Sequence, residues 1–271
     1  MQQADDFRDE SLALHAILDP LDERHFTAPT GFKNWTINDI LQHLHYFNWM
    51  AHLSLTDADA FTTEYAAMNR HSEGGNNLVK AVALRLPEGL VGRKLLDTWR
   101  DYLDPMTADF ASADPKARVK WAGPDMSARS SITARLMETW AHGHEIYDLL
   151  GLERQDQDRI RNIAHLGVNT FGWTFINRGE EVPQPMPHVR LTAPSGEVWE
   201  WGEPHVDRVI GTASDFCHVV CQTRNVADTA IRTEGPVAQR WMALAQCFAG
   251  PPRTPPAPGT RTKGPGLSST H

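Results

Sequence analysis

Most of the first 177 residues follow a single pattern, in which apolar side chains recur with the spacing of an amphipathic helix. Segments of this length with one apolar face must bury that face against one another. The sequence therefore predicts an antiparallel bundle of four or more helices within residues 1–180. The stretches that carry the pattern are residues 1–20, 37–54, 78–110 (interrupted near Pro87 and Gly89), 131–150 and 156–177.

The pattern changes after Gly179. Residues 181–188 contain three prolines and are predicted to be a linker. A small α+β domain over residues 189–250 follows, and a Pro- and Gly-rich tail over residues 251–271 is predicted to be disordered. The fold class is therefore α+β. Within the small domain, we expect strands at 189–193, 198–201 and 229–233, the first two as a hairpin, and helices at 207–222 and 237–248.

Charge and cysteine content restrict the partners and the compartment. A net charge of −8 and a pI near 5.9 give no basic surface for nucleic acid. Three cysteines do not make a paired framework and favour a reducing cytoplasm. The acidic N-terminus is unlike a signal peptide, and no apolar run approaches the length of a membrane span. We expect a cytoplasmic protein with a small-molecule substrate, and a homodimer is compatible with the sequence.

A clear helix start precedes the second apolar stretch. Thr36 is a natural N-cap, and Asp39, three residues later, completes a variant of the capping box. Trp35 and Ile40 are spaced to form a hydrophobic staple across this start. These contacts fix where the helix begins and how it is rotated about its axis. The helix runs to about Ser54.

A carboxylate and an imidazole stand one helical turn apart at Glu138 and His142. With roughly 100° per residue, they lie about 40° apart, at the edge of the apolar face that carries Leu136, Trp140 and Ile146. This spacing suits a metal ion. It is also typical of an ion pair on a helix surface, and the spacing alone leaves both interpretations open.

His43 is the best candidate for a third ligand. It follows Ile40 by three residues and precedes Phe47 by four, so it lies on the inward side of its helix, whereas His45 points roughly 200° away. Two imidazoles and one carboxylate with open positions suit catalytic Zn²⁺, with Fe²⁺ and Ni²⁺ as alternatives. The sequence therefore predicts a divalent-metal site formed by His43 and the pair on the later helix.

Two other groups have competing interpretations. Arg135 is a candidate for the catalytic site as a clamp on the substrate, and the alternative is a solvated or salt-bridged arginine. Cys217 and Cys221 are spaced as a soft-metal or redox pair, but their apolar neighbours favour plain core packing.

Two segments carry a resemblance to a known family. Trp35–Leu44 (WTINDILQHL) resembles the W-T-x-x-D-x-x-x-H-L segment of the DinB-like metal-binding bundles, in the branch that contains mycothiol-dependent maleylpyruvate isomerase. Glu138–Gly143 (ETWAHG), followed by Asp148–Gly151 (DLLG), resembles the second metal segment of that branch. Shorter segments, among them Trp121–Ser127 and Trp199–Gly202, resemble an actinobacterial group of uncharacterised metal-binding proteins.

The resemblance implies a divalent metal, usually zinc, held by His43, Glu138 and His142 with positions left for water or a thiolate. Thiol-using relatives activate mycothiol, bacillithiol or glutathione at that metal, because a cation lowers the pKa of a bound thiol. The resemblance also implies a C-terminal domain that closes over the site and supplies an arginine for the substrate. Arg224 and Arg190 are the candidates for that arginine. His144 differs from the residue expected in relatives, and its position on the helix predicts a surface side chain.

Three functions remain open at this point. The first is a metal-dependent thiol transferase or isomerase that acts on a small electrophile, with mycothiol as the thiol. The second is a hydrolase or lyase in which metal-activated water is the nucleophile. The third is a non-catalytic protein whose metal stabilises the bundle.

Overall fold

The computed structural model describes residues 1–72, 78–123, 125–204 and 207–267, and these residues form two compact units. The first unit is Met1–Leu150 together with the end of the chain from Pro265, and the second is Gly151–Gly264. The domain boundaries predicted at residues 180, 188 and 250 stay predictions, because compactness does not test independent folding.

The first unit is a helical bundle, as the apolar spacing predicts. Helices α1, α2, α5 and α6 pack together, with α1 and α2 each contacting both α5 and α6. Their inward faces carry large side chains that are fully buried, including Phe7, Trp99 and Trp140. The helices of this unit are α1 (Gln2–Leu18), α2 (Ile37–Thr56), α3 (Ala58–Ser72), α4 (Leu78–Ala83), α5 (Gly92–Ser112) and α6 (Ala128–Leu150).

The start of α2 confirms the predicted capping box. Thr36 Oγ1 accepts a hydrogen bond from Asp39 N at 3.1 Å, and the Asp39 carboxylate accepts one from Thr36 N at 2.8 Å. Together these bonds satisfy two backbone donors that a bare helix end would leave unpaired. The end of α6 also follows the prediction, because Gly151 has a φ of 66°, the left-handed conformation that glycine adopts readily.

A short hairpin lies in the segment between α5 and α6, which the sequence predicts to be a loop. Its strands are β1 (Arg118–Val119) and β2 (Met126–Ser127), and they pair antiparallel. Two residues per strand are too few to produce an alternating apolar pattern, so the sequence gives no signal for them.

The second unit is a small α+β structure, as predicted. Its sheet has the order β4-β3-β5-β6, in which β3 and β4 form the predicted antiparallel hairpin and β5 runs parallel to β3. The elements are α7 (Arg161–Asn169), α8 (Phe171–Ile176), β3 (His188–Thr192), β4 (Val198–Trp201), β5 (Arg208–Thr212), α9 (Ala213–Val220), β6 (Arg232–Glu234) and α10 (Pro236–Leu244).

The predicted bounds of two helices in this unit are wrong. The stretch 156–177 is a 3₁₀ turn at Asp158–Ile160 followed by α7 and α8, which are separated at Thr170. The stretch 207–222 begins as strand β5, because Val209 pairs with Val189 inside the sheet and is fully buried. Pairing with a distant strand therefore outweighs the local helical pattern here.

The disorder predicted for the tail stays a prediction, and the structure describes residues 251–267 of it. These residues contain neither helix nor strand, but Asn225 Nδ2 donates to the Pro256 carbonyl at 2.8 Å. The amide of Gly259 donates to the Asp228 carboxylate at 2.9 Å. A composition that prevents regular structure does not prevent side chains from pairing with the backbone.

Candidate metal centre

Helices α2 and α6 bring the three predicted ligands to one point. His43 Nε2 lies 3.1 Å from Glu138 Oε2, and His142 Nε2 lies 3.4 Å from the same oxygen. All three potential ligand atoms lie within 4.8 Å of one another. The His43 and His142 side chains are 11% exposed and that of Glu138 is 23% exposed, so the cluster is sheltered but reachable from solvent.

The spacing of these atoms fits a metal ion. A tetrahedral ion with ligand bonds of about 2.0–2.1 Å holds neighbouring ligand atoms about 3.3 Å apart. The two separations from Glu138 Oε2, 3.1 and 3.4 Å, bracket that value. Two imidazole nitrogens and one carboxylate oxygen are donors that Zn²⁺, Fe²⁺ and Ni²⁺ accept. The residues therefore fit the ion that the family resemblance implies.

The protonation states of the cluster suit a cation. Burial lowers the pKa of His43 to about 4, so this imidazole is neutral at pH 7. Burial opposes ionisation of Glu138, but hydrogen bonds from His142 and His43 and the charge of Arg135 hold the pKa of its carboxyl well below the usual value. A neutral imidazole and an ionised carboxylate are the forms that bind metals.

Aromatic rings surround the two imidazoles. Trp35 lies nearly parallel to the His142 ring, with centroids 5.5 Å apart, and Phe32 approaches the same ring edge-on at 5.1 Å. Phe47 lies 4.8 Å from His43 on the other side. Sequence reasoning missed Phe32 and Phe47 as parts of the site. Phe47 had a usable signal, because it follows His43 by one helical turn.

The environment of Arg135 differs from both alternatives to a substrate clamp, which were a solvated arginine and a salt-bridged arginine. It is 2% exposed, and its charge acts on the nearby Glu138, although no ion pair of Arg135 is found among the described residues. Its Nε donates to Asn48 Oδ1 at 3.2 Å, and its guanidinium lies 5.8 Å from the centre of the Phe47 ring. Asn48, which sequence reasoning missed, is fully buried. The α6 face that carries Glu138 therefore also carries a buried cation one turn earlier.

The other predicted residues belong to the second unit or differ from expectation. Arg224, half-buried in the second unit, donates to the Thr223 carbonyl at 2.9 Å, and its role stays a prediction. Arg190 is exposed and pairs with Glu200 at 3.2 Å. His144 is not a surface residue: it is 6% exposed and packs 4.3 Å from Trp140, because α6 contacts both α1 and α2.

The cysteines of the second unit are core residues, as their apolar neighbours predict. Cys217 and Cys221 are both buried on or next to α9. Burial raises the pKa of the Cys217 thiol well above its usual value, so this thiol is protonated and unreactive at neutral pH.

We expect the metal-free protein to lose stability as the pH falls from about 6.5 to about 4. Burial lowers the pKa of His43 and of His45 to about 4, against about 6.5 in the unfolded chain. In that window the unfolded chain binds more protons, so the free energy of unfolding falls with falling pH. Between pH 7 and pH 5, each histidine contributes about 2 kcal/mol of this loss. Urea titrations at the two pH values measure it.

The variant His45→Gln isolates one of the two contributions. Its loss of stability between pH 7 and pH 5 should be smaller than that of the wild type by about 2 kcal/mol. Equal losses in the two proteins would contradict the assignment.

The fold and the cluster together define a helical-bundle protein that presents two imidazoles and one carboxylate at a single point. Residues 7–147 match the model of the mycothiol maleylpyruvate isomerase N-terminal domain. This chain belongs to that family.

Comparisons over most of the chain found relatives of similar sequence and structures of similar fold. The chain is 37% identical over 248 residues to two uncharacterised proteins of Mycobacterium tuberculosis, one from each of two strains, with 91% of this chain and 95% of theirs covered. Two crystal structures of the mycothiol-dependent maleylpyruvate isomerase, one of a point variant, share the fold with TM-scores of 0.53 and 0.51 at 15% and 14% identity. These matches cover 87% of this chain and 94% of each structure. No described helix has the length and hydropathy that a membrane span requires.

Proposed function

We propose that this protein is a metal-dependent thiol transferase or isomerase that acts on a small electrophilic metabolite with mycothiol as its thiol. The cluster of His43, Glu138 and His142 carries the proposal, because it lies inside the stretch that matches the family model. The name of the family contains both the thiol, mycothiol, and the type of enzyme, an isomerase. Zinc is the metal that we propose first.

The chemistry of the proposal depends on a nucleophile at neutral pH. A divalent cation held by the three residues lowers the pKa of a thiol or water that binds beside them. The chain supplies the surroundings of that nucleophile. The ionised Glu138 carboxylate reduces the net charge of the centre, and Trp35 and Phe47 flank the imidazoles and limit the access of water.

Arginines are the proposed contacts for the electrophile. Arg135 offers a buried positive charge beside the cluster, and Arg224 stays the candidate that the family resemblance suggests. A positive charge near the reacting carbon would stabilise negative charge that develops on the substrate during thiol attack.

Calorimetry of the zinc-loaded protein with mycothiol tests the proposal. We expect saturable binding that is weakened at least about tenfold for S-methyl mycothiol, which has no thiol proton to lose. The same weakening is expected when metal-free protein is titrated with mycothiol. If the zinc-loaded protein has no measurable affinity for mycothiol, the thiol function is wrong and metal-activated water becomes the better candidate.

A further inference from the structure

Two thiols of the second unit face each other. Cys221 Sγ lies 3.6 Å from Cys247 Sγ, and the two residues are 7% and 5% exposed. The chain has three cysteines, and the third, Cys217, donates its S–H to the Ile160 carbonyl at 3.7 Å. Apolar packing accounts for the burial of each thiol but does not require two of them in contact. A disulfide bond is about 2.05 Å long, so a small movement of the side chains would join the pair.

The backbone beside the pair is held at a distance that a disulfide requires. Cys247 N donates to the Val220 carbonyl at 2.9 Å, and this carbonyl belongs to the peptide that precedes Cys221. With standard covalent dimensions, the Cα atoms of the two cysteines are therefore at most about 7 Å apart. In natural disulfides this separation is about 4.4–6.8 Å. The bond can thus form with little movement of the backbone.

A strained turn fixes the position of Cys221. The next residue, Gln222, has a φ of 56°, the left-handed conformation that is unfavourable for a residue with a side chain. Its Nε2 donates to the Ala245 carbonyl at 2.9 Å and to the Arg253 carbonyl at 3.2 Å. The turn after α9 is thereby bonded to the segment after α10 on both sides of Cys247. Strain of this kind persists where the surroundings hold it, and it is common at functional sites.

We propose that Cys221 and Cys247 are an oxidation site that hydrogen peroxide converts to a reversible disulfide. One thiol, as its thiolate, attacks an oxygen of the peroxide, so that an S–O bond forms, the O–O bond breaks and the second oxygen leaves as water after it takes up the thiol proton. The other thiol attacks the resulting sulfenic acid, so that the S–S bond forms, the S–O bond breaks and a second water leaves. Two thiols and one peroxide thus give one disulfide and two waters.

The choice of oxidant follows from the burial of the pair. Little of either residue is exposed, so a small oxidant reaches the thiols more easily than a bulky disulfide does. In a reducing compartment, a disulfide of this kind is typically transient and senses the redox state. The inference concerns the second unit alone and does not depend on the proposed thiol transferase or isomerase function.

The cross-link should stabilise the protein measurably. It joins positions that are 26 residues apart along the chain, and closing a loop of this size lowers the entropy of the unfolded chain. We expect the oxidised protein to unfold about 5–10 °C higher than the reduced protein. Calorimetric scans of the two forms measure the difference.

Thiol counting in the full-length protein tests the site directly. The reduced protein is treated with increasing amounts of hydrogen peroxide, alkylated with iodoacetamide under denaturing conditions and analysed by mass spectrometry. We expect the oxidised chain to take up one alkyl group, on Cys217, where the reduced chain takes up three. Dithiothreitol should restore all three.

Serine variants identify the partners. Cys217→Ser is the matched control, because it removes the third buried thiol one helical turn from Cys221, and it should form the cross-link as the wild type does. Cys247→Ser and Cys221→Ser should each lose both the cross-link and the gain in unfolding temperature. The two variants remove opposite partners, so either gives the result if the other does not fold.

Three outcomes would overturn the proposal. One is a treated wild type that takes up three alkyl groups or is oxidised to sulfinic acid with no cross-link at any amount of peroxide. Another is a cross-link that persists in Cys221→Ser or is lost in Cys217→Ser, because Cys217 would then be the partner of Cys247. The last is a disulfide between two chains, which doubles the mass of the denatured, non-reduced protein.

Discussion

Glu138→Gln should weaken zinc binding at least about 100-fold and leave the bundle folded. The carboxylate supplies the negative charge of the cluster and its Oε2 is the atom that both imidazoles approach, at 3.1 and 3.4 Å. An amide keeps the size of the side chain but removes the charge. Loss of residues that only support a ligand costs 10- to 100-fold in metal affinity, so loss of a ligand should cost at least as much. Competition with a chromophoric chelator measures the affinity.

Two further variants make this result specific. His43→Ala should have the same effect as Glu138→Gln, because it removes a ligand from the other helix. His52→Ala should leave zinc binding unchanged: His52 lies on the same helix, but its ring nitrogens bond to Tyr102 at 2.8 Å and Asp109 at 2.7 Å. If Glu138→Gln and His43→Ala unfold the protein, the metal has a structural role and the catalytic interpretation of the site is wrong.

Arg85→Leu should lower the free energy of unfolding by about 2 kcal/mol, because Arg85 is itself exposed but its loss removes the charged partner of the buried Glu64 carboxylate. Arg85 Nε donates to Glu64 Oε1 at 2.7 Å, its Nη2 contacts Oε2, and Tyr46 donates to the same carboxylate at 2.9 Å. The Glu64 side chain is only 11% exposed. Hydrogen bonds from Arg85, opposed by burial and aided by the bond from Tyr46, lower the pKa of Glu64, so removal of Arg85 leaves this carboxylate with Tyr46 as its one remaining donor among those named.

A double variant and a surface pair serve as controls for this prediction. Glu64→Leu combined with Arg85→Leu should recover most of the lost stability, because no buried charge is left unpaired. Arg8→Leu breaks the ion pair with Asp104, whose side chains are 41% and 52% exposed, and should cost less than about 1 kcal/mol. Urea unfolding at pH 7 gives all three values. A cost for Arg85→Leu no larger than that for Arg8→Leu would contradict the account.

The helical bundle was predictable because its signals are local. The capping box at Thr36 and the left-handed Gly151 mark the ends of helices from short stretches of sequence. Strand β5 was not predictable in this way, since the partner of Val209 lies 20 residues earlier and the sheet order cannot be read from spacing.

The convergence of His43, Glu138 and His142 was predictable for a similar reason, and the surroundings of these residues were not. Helical spacing placed Glu138 and His142 on one face, and the rotation set by the cap turned His43 inward. The environment of Arg135 depends on which residue of α2 faces it, and only the packing of two helices shows that this residue is Asn48. His144 was assigned to the surface because the sequence does not show that α6 is covered by both α1 and α2.

X-ray absorption at the zinc edge, before and after addition of mycothiol, tests the central proposal most directly. We expect a first shell of nitrogen and oxygen at about 2.0–2.1 Å in the zinc-loaded protein, lost in His43→Ala, and one sulfur neighbour at about 2.3 Å after mycothiol is added. A sulfur shell present before mycothiol would contradict the proposed ligands. A first shell that mycothiol leaves unchanged would contradict the proposed thiol chemistry.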